Sequence, residues 1–150
     1  MSLSEPDFPG KRVQGRNCFL CGRENTRGLG IPFYFDGDVV RAAFVPGPHL
    51  CGFEGIVHGG IIFALADEAM MHLIWALGLQ AVTAEAEIRY HNYARIDRRL
   101  RVDARMESQA PQLVKAVSVI VDDENRLIAT VRGKFLTVAS KDNEKFNKAF

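Results

Sequence analysis

Apolar residues recur along this chain with two different periods, and the switch between them marks its architecture. Residues 58–78, HGGIIFALADEAMMHLIWALG, are rich in Ala, Leu, Ile and Met and hold no interior proline. That composition predicts one long helix of roughly 30 Å. Its apolar positions cover nearly the whole circumference, so it is expected to be buried on most sides. Gly78 is placed to cap its C-terminus. Beyond it the period falls to two. Val82, Ala84, Ala86, Ile88 and Tyr90 alternate with Thr83, Glu85, Glu87 and Arg89. Leu100, Val102, Ala104 and Met106 alternate with Arg99, Arg101, Asp103 and Arg105. Both are patterns of strands with one buried face. Residues 113–121 and 127–138 read as two more strands around a turn at 122–125. Ahead of the helix, 31–35 and 39–45 are short strands joined by Asp36-Gly37-Asp38, an Asp-Gly hairpin signal. Strands joined by short turns pair antiparallel. The expected fold is therefore α+β, with an antiparallel sheet of about six strands whose apolar face covers one central helix.

The remaining stretches divide the chain. Residues 1–17 are polar, with Pro6, Pro9, Gly10 and Gly15, and read as a flexible arm. Residues 18–138 form the single domain, and 139–150 a polar tail. Residues 46–57 hold two Pro and three Gly and form a loop. The 150 residues suit one domain. Hydrophobic residues at 47% and charged residues at 25% exclude a disordered chain. With 19 basic and 18 acidic residues the net charge is +1, without the basic surplus of a nucleic-acid binder. Asp67 and Glu68 interrupt the helix, and no apolar run reaches the roughly 18 residues of a membrane span. Three cysteines and an N-terminus without an apolar leader point to a reduced, cytoplasmic chain with no disulfide framework.

Asp67 carries the most chemical information. An unpaired carboxylate in a buried helix is costly, and the residues one turn away, Phe63, Ala64, Met70 and Met71, continue no polar stripe from it. Asp67 therefore reads as an inward-facing, ligand-facing carboxylate. Glu68 has His72 four residues on, which makes a short polar stripe with an i,i+4 contact, so Glu68 reads as exposed or structural. His58-Gly59-Gly60 opens the helix, where free N–H groups and the helix dipole favour negative charge, as an oxyanion hole requires. The plainer reading is that His58 caps the helix and the glycines permit a tight junction. Gly59 and Asp67 lie eight residues apart, about 12 Å along a helix. The two can serve one site only across a two-fold axis, which predicts a dimer if both are used. Cys18-x-x-Cys21 with His49 and Cys51 lacks usual zinc spacing in its second half, so a turn with partly buried thiols is expected and no metal set. The basic residues Arg89, Arg95, Arg98, Arg99, Arg101, Arg105, Arg132 and Lys134 are interleaved with acids and read mainly as a solvated mixed-charge face.

The run from Gly52 to Ala69, GFEGIVHGGIIFALADEA, followed by Val82-Thr83-Ala84-Glu85 and Ile88-Arg89-Tyr90, resembles hotdog-fold acyl-CoA thioesterases of the PaaI-like type and of the type of thioesterase superfamily member 4. The opening Asn17-Cys18-Phe19-Leu20-Cys21-Gly22 and Gly28-Leu29-Gly30 resemble the start of bacterial members. The resemblance implies a hotdog fold, a homodimer or dimer of dimers with active sites at the interface, an acyl-CoA substrate and no cofactor. It implies Asp67 as general base or nucleophile, Gly59 N–H at the thioester carbonyl, His58 orienting the site and Thr83 holding water or substrate. Gly60, Phe53, Glu68, Phe63 and Met71 are the expected substrate-binding residues, with Met70 a further pocket candidate. Two departures stand out. Gly52 occupies the position, six residues before the His, where some relatives carry an Asn donor, and the segment after Tyr90 lacks a common Pro. The alternative is a non-catalytic acyl-CoA or acyl-ligand binding protein on the same fold. By strict alternation Thr83 falls on the polar face, so either that face lines the site or a bulge reorients it.

Overall fold

The strands Lys11–Val13 (β1), Phe33–Phe35 (β2) and Val39–Phe44 (β3) precede a short 3-10 turn at Pro48–Leu50 and the helix Gly59–Ala76 (α1). Ala81–Tyr90 (β4), Leu100–Gln109 (β5), Leu113–Asp122 (β6) and Leu127–Thr137 (β7) follow. The structure, a computed structural model, describes residues 8–138. All seven strands pair antiparallel in one sheet, in the order β1-β2-β3-β5-β6-β7-β4. The helix packs on one face and meets every strand from β2 to β7. This is the hotdog arrangement, with seven strands where about six were expected.

The additional strand is β1, inside the segment read as a flexible arm. It holds one buried residue, Val13, and pairs with β2 from Lys11 opposite Phe35 to Val13 opposite Phe33. Three residues with one inward apolar side chain are too few for a period to show. Residues 1–7 of the expected arm and the expected tail 139–150 lie outside the described residues.

The ends of α1 follow from local chemistry. His58 is the N-cap, and its Nδ1 accepts the Gly60 N–H at 2.9 Å. At the other end Gly78 adopts φ +80°. Its N–H donates to the Trp75 carbonyl and the Leu79 N–H to that of Ile74, the paired bonds of a Schellman motif. By length and composition α1 is apolar enough to cross a bilayer, yet Leu65, Ala66, Ala69, Met70, Leu73 and Ile74 are fully buried against the sheet.

Where the helix rests, the sheet is thin. Gly133 in β7 sits between Ala86 of β4 and Ala116 of β6, a row of small residues across three strands. The Phe135 ring and the Met70 side chain fill the space above it. A Cβ on Gly133 would lie 2.5 Å from Phe135 Cε2 and 3.3 Å from Met70 Cε, so the core has no room for a methyl there. Gly133→Ala is expected to destabilise the chain by about 1–3 kcal/mol through overpacking, read as a lowered midpoint in chemical denaturation with an unchanged slope.

Candidate active site

The N-terminal turn of α1 leaves one donor unengaged. The His58 carbonyl accepts the N–H groups of Ile61 at 2.9 Å and Ile62 at 3.3 Å, and its ring takes that of Gly60. Among the described residues none accepts from the Gly59 N–H, which sits at the positive end of the helix dipole. Tyr90, at the end of β4, donates its hydroxyl to the Gly59 carbonyl at 2.7 Å. A cleft of about 420 Å³ opens here, lined by Gly59, Ile56, Ile62, Tyr90, Asn92 and Tyr93 among others.

Further along, Phe63, Asp67 and Met71 recur every fourth residue, are only half-buried, and lead to Trp75, which is 38% exposed. They form one stripe that the chain's own sheet does not fully cover. Asp67 Oδ1 accepts the Thr83 hydroxyl at 2.9 Å. Burial raises the Asp67 carboxyl above the ordinary aspartate value; the Thr83 bond works against that shift and the charge of Glu68 adds to it.

Thr83 reaches Asp67 because β4 is irregular. Its register against β7 shifts between Thr83 and Glu85, leaving Ala84 as the extra residue of a bulge. Before the bulge Ala81 is buried while Val82 is 42% exposed; after it Ala86 and Ile88 are the half-buried positions. Strict alternation from Val82 to Tyr90 therefore fails, and of the two readings left open for Thr83 the bulge is the one realised.

The other expected residues fall in several places. His58 is exposed and engaged as a cap, which matches the plainer reading of that position. Gly60 is held by that same ring. Phe53 lies 82% exposed in the loop before the helix. Met70 is fully buried over Gly133.

Glu68 and His72 form no exposed stripe. Their side chains are 17% and 3% exposed, 3.2 Å apart, and lie under the turn carrying Cys18 and Cys21. Glu68, expected among the substrate-binding residues, turns its carboxylate toward Cys18 and His72. Tyr90 was read only as a strand residue. Its place at the end of a strand leading back to the helix N-terminus was the available signal.

Several of the basic residues are paired on the surface, as a mixed-charge face requires. Arg98 bonds Asp123 and Glu124, Arg132 bonds Glu107, and Lys134 bonds Glu85. Arg95 stacks on Tyr93 with its guanidinium carbon 5.1 Å from the ring centroid.

Comparison with known proteins agrees with the fold. The family model of the thioesterase superfamily matches residues 54–129, just over half of the chain and all of α1 and β4. No curated protein matches the chain. Among solved structures, the PaaI protein of the Escherichia coli phenylacetic acid degradation operon is 24% identical with a TM-score of 0.70, covering 74% of this chain and 81% of that one. A hypothetical thioesterase from Streptococcus pneumoniae TIGR4, solved with coenzyme A, is 20% identical with a TM-score of 0.66, covering 68% and 80%. A Streptococcus mutans protein bound to acetyl-CoA is 19% identical with a TM-score of 0.68, covering 71% and 89%. These likenesses concern the fold, and the family match rests on the segment that carries the helix and its carboxylate: the chain belongs to the thioesterase superfamily.

Proposed function

We propose that the chain hydrolyses an acyl-CoA thioester to a carboxylic acid and CoA. One observation carries the reading: Asp67, half-buried and held by the Thr83 hydroxyl, lies on the same uncovered helix face whose first turn presents a free N–H to a cleft. In this mechanism Asp67 removes a proton from the attacking water, or attacks the thioester carbon itself. The carbonyl oxygen turns negative and is met by the Gly59 N–H and the dipole behind it. Collapse releases the CoA thiolate, which takes up a proton; with water as nucleophile the acid is formed directly, and with Asp67 as nucleophile the acyl-aspartyl anhydride is then hydrolysed by water to the acid and the free carboxylate. Family membership and the two relatives solved with coenzyme A or acetyl-CoA support the ligand class.

The same reading includes self-association. Gly59 and Asp67 share one helix and are separated by about 12 Å of its axis, so a shared site takes the donor from one copy and the carboxylate from another. The half-open stripe of Phe63, Met71 and Trp75 and the ten-residue edge strand β4, with Val82 and Tyr90 exposed, support an isologous contact there. The absence of a donor side chain at Gly52, whose backbone lies against His58, favours the binding-protein alternative. That alternative is selected by tight acyl-CoA binding with no turnover across acetyl, long-chain and aryl thioesters.

Asp67→Asn is expected to lower kcat by about 10²–10⁴-fold while the circular dichroism spectrum stays that of the parent. Full activity in that variant removes Asp67 from the chemistry. Gly59→Pro deletes the N–H at the first helical position, where proline is tolerated, and is expected to cost about 10²–10³-fold in kcat. Gly59→Ala is its control. It keeps the N–H while placing a Cβ in the same 3.1 Å contact with Tyr90 Oη, and should lose far less. Mixing Asp67→Asn and Gly59→Pro subunits should restore one intact site per mixed dimer. A strict monomer by light scattering refutes the shared site.

A further inference from the structure

The turn at Cys18–Gly22 and the middle of α1 bring together four side chains that the proposed hydrolysis does not use. The Sγ atoms of Cys18 and Cys21 and a carboxylate oxygen of Glu68 lie within 4.8 Å of one another. Cys18 Sγ is 3.0 Å from Glu68 Oε1. His72 Nε2 stands 3.2 Å from that same oxygen and 3.3 Å from Cys21 Sγ. Around a tetrahedral zinc, bonds of about 2.3 Å to sulfur and 2.0–2.2 Å to nitrogen and oxygen hold neighbouring ligand atoms roughly 3.4–3.8 Å apart. The 3.0, 3.2 and 3.3 Å contacts each lie within about half an ångström of those spacings; His72 stands outside the 4.8 Å group formed by the two thiols and Glu68, so it would have to swing inward to complete a four-ligand set.

Backbone donors reach both sulfurs. The Leu20 N–H donates to Cys18 Sγ at 3.3 Å, and the Gly15 N–H to Cys21 Sγ at 3.2 Å. Such donors orient the sulfurs, as outer-shell contacts do around a metal. The turn closes through the Gly22 N–H on the Cys18 carbonyl at 2.8 Å. A Cβ at Gly22 would run into that carbonyl, so only glycine lets Cys-x-x-Cys-Gly present both sulfurs on one side. Cys21 is fully buried and His72 nearly so, with the Phe33 ring 4.9 Å from the imidazole. Buried groups of this kind are held by pairing or by a metal.

We propose that Cys18, Cys21, Glu68 and His72 form a four-ligand zinc site that ties the N-terminal turn to α1. With four protein ligands it has no open position, which makes it a structural site. The sequence pairing of Cys18-x-x-Cys21 with His49 and Cys51 is replaced by Glu68 and His72, an i,i+4 pair on one helix face. His49 and Cys51 are both exposed.

Protein purified without a histidine tag, under reducing conditions and from zinc-supplemented cells, is expected to carry one zinc per chain by elemental analysis. Chelator-stripped protein given cobalt(II) should show the thiolate charge-transfer band and the intense visible bands of a tetrahedral site. Cys21→Ser and His72→Gln should lose the cobalt bands and drop to less than about a tenth of the parent's zinc, whereas Asp67→Asn keeps both. Parent protein with less than about a tenth of an equivalent of zinc and no cobalt spectrum overturns the proposal, as does a Cys18–Cys21 disulfide in the reduced preparation. The cobalt spectrum is read on the parent chain, so a variant that fails to fold leaves the test intact.

Discussion

A helix that is apolar around nearly its whole girth is stable in water only if something covers every side of it. The arrangement of this chain answers that constraint one side at a time. The sheet takes the face of Leu65, Met70, Leu73 and Ile74. The turn at residues 18–22 takes the side where Glu68 and His72 emerge. The stripe of Phe63, Asp67, Met71 and Trp75 is left half-open. A carboxylate in such a stripe is neither freely hydrated nor fully enclosed. A group placed in this way holds its proton more readily than a surface aspartate while staying within reach of a ligand.

The sheet supplies more than cover. Its small-residue row at Ala86, Gly133 and Ala116 lets the helix settle close to the strands, with Met70 and Phe135 interlocked above it. That close approach brings β4 near enough for Thr83 to meet Asp67 and for Tyr90 to meet the first turn of α1. Two hydrogen bonds from one strand thus fix both the middle and the start of the helix. The placement of the carboxylate and of the free Gly59 N–H depends on packing as much as on capping.

Much of this was legible in the residues, and the failures have physical reasons. The helix shows at once, because seventeen or more residues of helical composition leave no competing period. Gly78 and His58 announce its ends through known cap chemistry. The strand β1 is too short for alternation to register. Parity alone leaves Thr83 open between two readings, since a bulge is a backbone event that Ala84 does not advertise. Glu68 and His72 could be read as exposed or structural, for a third reason. An i,i+4 polar pair on a helix looks the same in sequence whether water or another segment faces it. Here the covering segment lies fifty residues earlier in the chain, and no local window contains both. The apolar pattern around Asp67 and the glycines opening the helix singled out both positions and the family resemblance gave them roles, whereas the half-open stripe is visible only once burial is known.

The bulge at Ala84 has one more consequence. A regular β4 would complete its ladder against β7 and give a straighter, better-paired strand. That same regularity would turn Thr83 to the far face and leave the Asp67 carboxylate without its hydroxyl. The strand therefore cannot be idealised without disarming the helix beside it, and substitutions that improve its local β-character act against the alignment of the two elements. In this chain a single surplus residue works as a phase shifter: it lets two stretches with opposite parity, 81–83 and 86–88, look at the same helix.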